Sequence, residues 1–183
     1  MNFRIFIDCD GVILDTWDLV YSKYQEIYKI TELDDNKLLK VMDDLGWYRI
    51  INDSEIINDS INKIKELSKK YDVTIVTKVV AEGEKKEKDI FFKKNGLDKV
   101  VYVSYEGKKI DKVPAKGNIL IDDTVKNLDE WNEKGGISIF FNRYLENKDG
   151  YNKENTKYKM IDDISKIYDT IELLERGRIW KLN

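Results

Sequence analysis

The sequence predicts an α/β fold in which a parallel sheet is covered on both faces by helices. Apolar runs of strand length recur along the chain and alternate with segments of helical periodicity, the pattern that builds parallel sheets from strand–helix–strand crossovers. Several of these runs stop abruptly at polar or acidic residues. In open α/β sheets the crevice beyond the carboxyl ends of the strands is where ligands bind, so such endings point to a site. A chain of 183 residues with 42% hydrophobic content closes one core with room for a small insertion.

In chain order, Phe3-Arg4-Ile5-Phe6-Ile7 is a buried strand stopped by Asp8-Cys9-Asp10-Gly11. Asp15-Thr16 caps a helix through Tyr28, whose Trp17, Val20, Tyr21, Tyr24, Ile27 and Tyr28 recur at helical spacing, a stripe that reads as core. A second short helix over residues 37–42 ends near Gly46, and Trp47 and Tyr48 follow on a loop. Asp53 or Ser54 opens an amphipathic helix with Ile57, Ile61, Ile64 and Leu67 inward, leading into a strand over 71–76 that ends in Thr77-Lys78. A helix over 82–95 is closed by Gly96, and its run Glu84-Lys85-Lys86-Glu87-Lys88 is expected to be a solvated face. A strand over 99–103 and a loop holding Lys108, Lys109, Lys112 and Lys116 come next. The strand over 119–121 ends in Asp122-Asp123, followed by a helix over 124–134, Gly135-Gly136 and a strand over 137–141. Residues 143–159 are polar and aperiodic and read as a long loop or mobile flap. Met160, Ile164, Ile167, Ile171 and Leu174 give the last helix an apolar face.

Composition removes several chemistries. The chain has no histidine, which excludes Ser-His-Asp hydrolases, His-ligated zinc and phosphohistidine mechanisms together. Its one cysteine, Cys9, permits no internal disulfide and fits a reducing compartment. A cysteine phosphatase needs a phosphate-binding Arg shortly after its nucleophile, yet six residues on stands Asp15. The net charge of −3, with Lys and acids intermixed, predicts no nucleic-acid polymer and no membrane surface as partner. The first apolar run is too short for a signal peptide and no stretch reaches membrane-spanning length, so a cytoplasmic location is expected; the oligomeric state is left open.

Carboxylates working with a hard metal ion are what remain. Asp8 and Asp10 are two apart and leave one face if the chain stays extended. Asp-Asp pairs begin at positions 34, 43, 122 and 162, but only Asp122-Asp123 follows a strand-forming run.

Asp8-Cys9-Asp10-Gly11-Val12, then Thr77, then Lys112, then Asp122-Asp123 with Asn127 resemble, in order, the four motifs of the haloacid dehalogenase-like hydrolase superfamily. Gly46-Trp47-Tyr48-Arg49, the stretch leading to Thr77, and Leu120-Ile121-Asp122-Asp123 with Trp131 bring the chain nearest, within it, to the 5'(3')-deoxyribonucleotidases. The resemblance covers residues 3–141. It implies a three-layer Rossmann-like core of residues 1–14 and 66–183, with a small helical cap of residues 15–65 inserted after the first strand. It further implies a Mg²⁺-dependent phosphomonoesterase, acting on a nucleoside monophosphate through an aspartyl-phosphate. Asp8 is then nucleophile and metal ligand. Asp10 is the acid and base, binding the metal through its backbone carbonyl. Thr77 and Lys112 bind phosphate, with Lys109 the competitor. Asp123 is the direct metal ligand, Asp122 acts on the metal through a water or by holding its ligands, and Asn127 orients ligands. Trp47 and Tyr48 stand where a base would stack. The nucleotidases carry a small residue and Pro after the motif Thr; here Lys78-Val79-Val80 follow, so Lys78 is expected to reach the phosphate or another acidic group of the substrate. A sugar phosphate is the alternative substrate. A receiver-type phospho-acceptor domain is the alternative outside enzymes, and the motif order argues against it.

Overall fold

The strand Arg4–Ile7 (β1) lies inside the sheet because it can be buried on both sides, Ile5 and Ile7 facing one way and Phe6 the other. The computed structural model describes residues 3–30, 32–143 and 157–176. Around β1 stand Asp72–Val79 (β2), Val100–Ser104 (β3), Ile119–Asp122 (β4), Ile137–Phe141 (β5) and Lys159–Ile161 (β6). Their order is β3-β2-β1-β4-β5-β6, and every pairing is parallel. Ile7 is level with both Ile75 and Ile121, and the amide of Asp8 donates to the Ile121 carbonyl at 2.9 Å. Asp8 and Asp122 therefore leave the sheet side by side.

Seven α-helices are described: Thr16–Tyr28 (α1), Asp35–Leu45 (α2), Trp47–Asn52 (α3), Ser60–Ser68 (α4), Glu82–Lys94 (α5), Val125–Glu133 (α6) and Ile167–Glu175 (α7). On one face of the sheet α4, α5 and α7 press Ile64, Phe92 and Ile171 onto the β1, β2, β4 and β5 isoleucines. On the other, Leu128 and Trp131 of α6 pack with Phe6, Val76, Leu120 and Phe140. Each such side chain contributes about 1.5–3 kcal/mol by leaving water. No helix among the described residues is long and apolar enough to cross a membrane.

The helices α1 to α3 are an insertion whose two ends touch. Leu14 bridges Ile56, the Asp15 amide donates to the Glu55 carbonyl at 2.9 Å, and the Ile57 amide donates to the Ile13 carbonyl at 2.9 Å. The Asp15 side chain caps α1 through the Asp18 amide, and Asp34 caps α2 through that of Lys37. Buried Tyr24 ties the α1–α2 connection by donating its hydroxyl to the Glu32 carbonyl at 2.9 Å and accepting the Asp34 amide at 3.1 Å.

Three local readings change. Gly46, at φ +71°, turns the chain straight from α2 into α3, so Trp47 and Tyr48 start a short helix instead of lying on a loop. No helix opens at Asp53 or Ser54. Asn58 and Asp59 take left-handed φ values of 46° and 56° and α4 begins at Ser60, although Ile57, Ile61, Ile64 and Leu67 are all buried as expected. The helix α4 lies against the sheet, and the chain rejoins the Ile13 to Asp15 segment at Glu55 to Ile57. Met160 belongs to β6, and the final helix follows a 3-10 turn over Ile164–Lys166. The expected flap falls largely on residues 144–156, outside the described residues.

Trp131 is fully buried, meets Phe6 edge-on at 5.3 Å and donates its indole N–H to the Asn118 carbonyl at 3.0 Å. Trp131→Ala is expected to lower unfolding free energy by about 3–5 kcal/mol in urea titration, the cost of emptying a large core site.

Candidate active site

Beyond β1 the chain turns at Cys9, whose carbonyl accepts the amides of Val12, Ile13 and Leu14 at 3.2, 2.7 and 3.0 Å. This turn separates the two aspartates, which the extended-strand reading had put on one face. Asp8 and Asp10 each have their own buried lysine. Cys9 itself is fully buried with its thiol pushed well up by that burial, which suits a packing residue and not a nucleophile.

Asp8 faces the α6 side. Lys109, at the start of a 3-10 turn over Lys109–Asp111, is buried and stands 2.7 Å from Asp8 Oδ1 and 2.6 Å from Asp122 Oδ2. Asp122 is wholly buried, and its carboxylate is saturated: it also accepts the Thr124 amide at 2.9 Å and the Asn127 side-chain amide at 3.1 Å. Asp123 is less enclosed and accepts from the Thr124 hydroxyl at 3.3 Å. A Cβ on Gly11 would lie 2.1 Å from Asp123 Oδ2, and Gly11 has φ +73°, so only glycine fits there.

Asp10 faces the α5 side. Its Oδ1 accepts the Thr16 hydroxyl at 2.9 Å, and its Oδ2 lies 2.6 Å from Lys88 Nζ and 3.4 Å from Thr77 Oγ1. Lys88 has no exposed surface and also contacts Glu84 Oε1 at 2.7 Å, Thr77 Oγ1 at 3.0 Å and the Lys78 carbonyl at 3.1 Å. The expected solvated face of residues 84–88 is therefore split: Lys85 and Lys86 are exposed, while Glu84 and Lys88 are buried. Glu84, Lys88, Phe91 and Phe92 stand at helical spacing on one face of α5, and continuing that apolar stripe backwards would have exposed the pair.

The other expected residues form no ion pair with these acids among the described residues. Lys112, preferred over Lys109 by its spacing to Asp122, ends the 3-10 turn exposed and forms no ion pair among the described residues; Lys109 takes the inner place. Lys78 follows Thr77 in β2, so its side chain emerges on the opposite face, and its carbonyl is what meets Lys88. Trp47 packs over Gly83 at the start of α5, where a glycine Cβ would be 3.1 Å from its ring. Tyr48 is 66% exposed on the insertion.

No protein-family model matches this chain, and no curated protein matches it. Solved structures do. A haloacid dehalogenase-like family hydrolase from Xanthomonas campestris superposes with a TM-score of 0.63 at 10% identity, covering 97% of each chain. A haloacid dehalogenase-like family hydrolase from Streptococcus pneumoniae gives 0.64 at 13% identity over 93% of this chain and 98% of its own. The fold is that of the haloacid dehalogenase-like hydrolases. An L-2-haloacid dehalogenase shares it as well, at TM-score 0.60 and 11% identity over 93% of this chain and all of the other. At these identities the likeness is one of fold, and the chemistry must be argued from the site.

Carboxylate oxygens of Asp8, Asp122 and Asp123 lie within 4.8 Å of one another, a set of hard donors that fits a divalent cation such as Mg²⁺. Asp8 and Asp123 are the freer of the three, because the Asp122 oxygens are already engaged. Burial pushes Asp8 up to about 7, with Lys109 pulling the other way and Asp122 and Asp10 adding repulsion. Burial, then the charges of Asp8 and Asp122, push Asp123 up to about 8. Burial would lower Lys109, but Asp122 and Asp8 outweigh it and keep the ammonium charged.

Both raised carboxyls titrate above the roughly 4 of an unfolded aspartate. Between about pH 4 and 8 the folded chain thus binds more protons than the unfolded one, and its stability in chelator falls as pH rises through that window. Thermal unfolding at steps from pH 5 to 8 is expected to show this fall in EDTA, less of it in Asp123→Asn, and least in wild type with Mg²⁺. An identical slope in wild type and Asp123→Asn would contradict the assignment.

Proposed function

We propose that this chain is a Mg²⁺-dependent phosphomonoesterase acting through an aspartyl-phosphate, with a nucleoside monophosphate as substrate. The observation that carries the reading is the buried cluster of Asp8, Asp122 and Asp123 beside a separately held Asp10. Attack by a carboxylate on a phosphate dianion meets charge repulsion; Asp8, Asp123 and the Asp10 backbone carbonyl would hold Mg²⁺, which would supply the charge that offsets it.

Asp8 attacks phosphorus and the ester P–O bond breaks, while Asp10 protonates the departing alkoxide. Asp10 then takes a proton from the water that attacks the aspartyl-phosphate, releasing inorganic phosphate and free Asp8. Lys109, which touches Asp8, neutralises charge on nucleophile and phosphate, and replaces Lys112 in that role. The Thr77 hydroxyl, Lys78 and backbone amides of the turn are the remaining phosphate partners proposed. Asp122 holds Lys109, and Asn127 holds Asp122.

Dehalogenation, the activity named for one of the superposed structures, asks for less than this site offers. A halide leaves as a stable anion and needs no proton, and a neutral carbon centre needs no cation to approach an aspartate. A placed acid and a three-carboxylate cluster both favour an anionic ester with a poor leaving group. The nucleotide assignment rests on the motif resemblance and on the aromatic pair Trp47 and Tyr48 of the insertion.

Phosphate release from a panel of nucleoside monophosphates and sugar phosphates, with Mg²⁺ and with EDTA, tests the reading. The expected result is Mg²⁺-dependent turnover, fastest on nucleotides and reduced more than about a thousandfold in Asp8→Asn. Lys109→Met is expected to lose kcat by at least about a hundredfold, and Lys112→Met to stay within about twofold of wild type. Tyr48→Ala, exposed and structurally undemanding, is expected to raise KM for nucleotides by about fivefold to a hundredfold, the worth of one stacked base. Indifference of Tyr48→Ala with sugar phosphates preferred would move the substrate to that class.

A further inference from the structure

We propose that Lys88, with Glu84 behind it, is a positioning residue for the acid Asp10, an inference that rests on the phosphomonoesterase reading. A lysine with no exposed surface loses its hydration and is retained only where its donors are met. Lys88 meets two carboxylates, Asp10 at 2.6 Å and Glu84 at 2.7 Å, together with the Thr77 hydroxyl at 3.0 Å and the Lys78 carbonyl at 3.1 Å. These partners come from three separate segments: the turn after β1, the end of β2, and α5. Glu84 is itself anchored, accepting the Val80 amide at 2.7 Å through its other oxygen. The ammonium is thus fixed from behind and presents its remaining hydrogen bonds to the residues proposed to handle the leaving group and the phosphate.

Asp10 needs such support because its side chain is more open to solvent than those of Asp8 and Asp122. Its side chain is 39% exposed, whereas that of Asp8 is 10% and that of Asp122 is fully buried. Thr16 on one oxygen and Lys88 on the other leave it one rotamer. Positioning matters most when a proton must be delivered along one line, and general acid catalysis contributes about 10²–10⁴-fold when that line is kept.

The consequence is selective. An alkyl phosphate leaves as a strongly basic alkoxide and requires the proton, while 4-nitrophenyl phosphate leaves as a weakly basic phenolate and hardly does. Lys88→Met is expected to lower kcat on an alkyl phosphate by about a hundredfold or more and on 4-nitrophenyl phosphate by less than about tenfold. Asp10→Asn should show the same selectivity, and the double variant should be no worse than Asp10→Asn alone. Should Lys88→Met fail to fold by circular dichroism, Glu84→Gln, which keeps the side chain's shape, is measured on the same two esters; a several-fold fall in the alkyl-to-aryl kcat ratio is expected. Equal losses on both esters, or additive losses in the double variant, would overturn the inference while leaving the phosphatase reading intact. A wild type inert towards both esters would overturn the reading and the inference together.

Discussion

Buried like charge is the constraint around which this molecule is arranged. At the carboxyl ends of the adjacent parallel strands β1 and β4 and in α5, five carboxylates (Asp8, Asp10, Glu84, Asp122 and Asp123) face two ammonium groups, those of Lys88 and Lys109. Two lysines cannot neutralise five acids, and burial, with the repulsion of neighbouring carboxylates added to it, raises the titration of Asp8 and Asp123. A hard cation would complete the balance, which would make metal binding and the stability of the sheet's end one problem.

The two lysines also divide the site. Successive side chains along a strand alternate between faces, so Asp8 and Asp122, level on neighbouring strands, share one face, and Thr77 at the end of β2 falls on the other. Lys109, Asp122 and Asn127 gather Asp8 towards α6; Lys88, Glu84 and Thr77 gather Asp10 towards α5. The turn at Cys9 and Gly11 is what allows two aspartates with a single residue between them to go to different sides. Two carboxylates held by separate partners can differ in protonation, which two sharing one environment could not easily do.

The fold and half of this division were legible in the sequence. Strand ends announced themselves, since an apolar run broken by Asp8-Cys9-Asp10 or Asp122-Asp123 has no other economical reading, and five of the six strands and the cap of α1 fall where the periodicity puts them. The lysines were harder. Lysine is abundant here, and the charge run of residues 84–88 masked a buried pair whose only signal is its phase with Phe91 and Phe92. Spacing to Asp122 favoured Lys112, but reach depends on which residue of a short 3-10 turn faces the sheet, and Lys109 does. β6 was unreadable because three residues pairing only at their parallel edge carry no alternation of their own.

The paired crossing at Leu14 and Ile56 has an architectural consequence. Because the chain leaves and re-enters the core through neighbouring hydrogen-bonded segments, the whole of α1 to α3 is topologically a decoration on a loop. A turn of a few residues would span the same gap, and so would a much larger module, since lengthening a loop whose ends are already joined adds only about 0.6 kcal/mol per doubling. A module grafted at this seam would leave the buried carboxylates where they are as long as Thr16, which opens α1 and donates to Asp10, is kept.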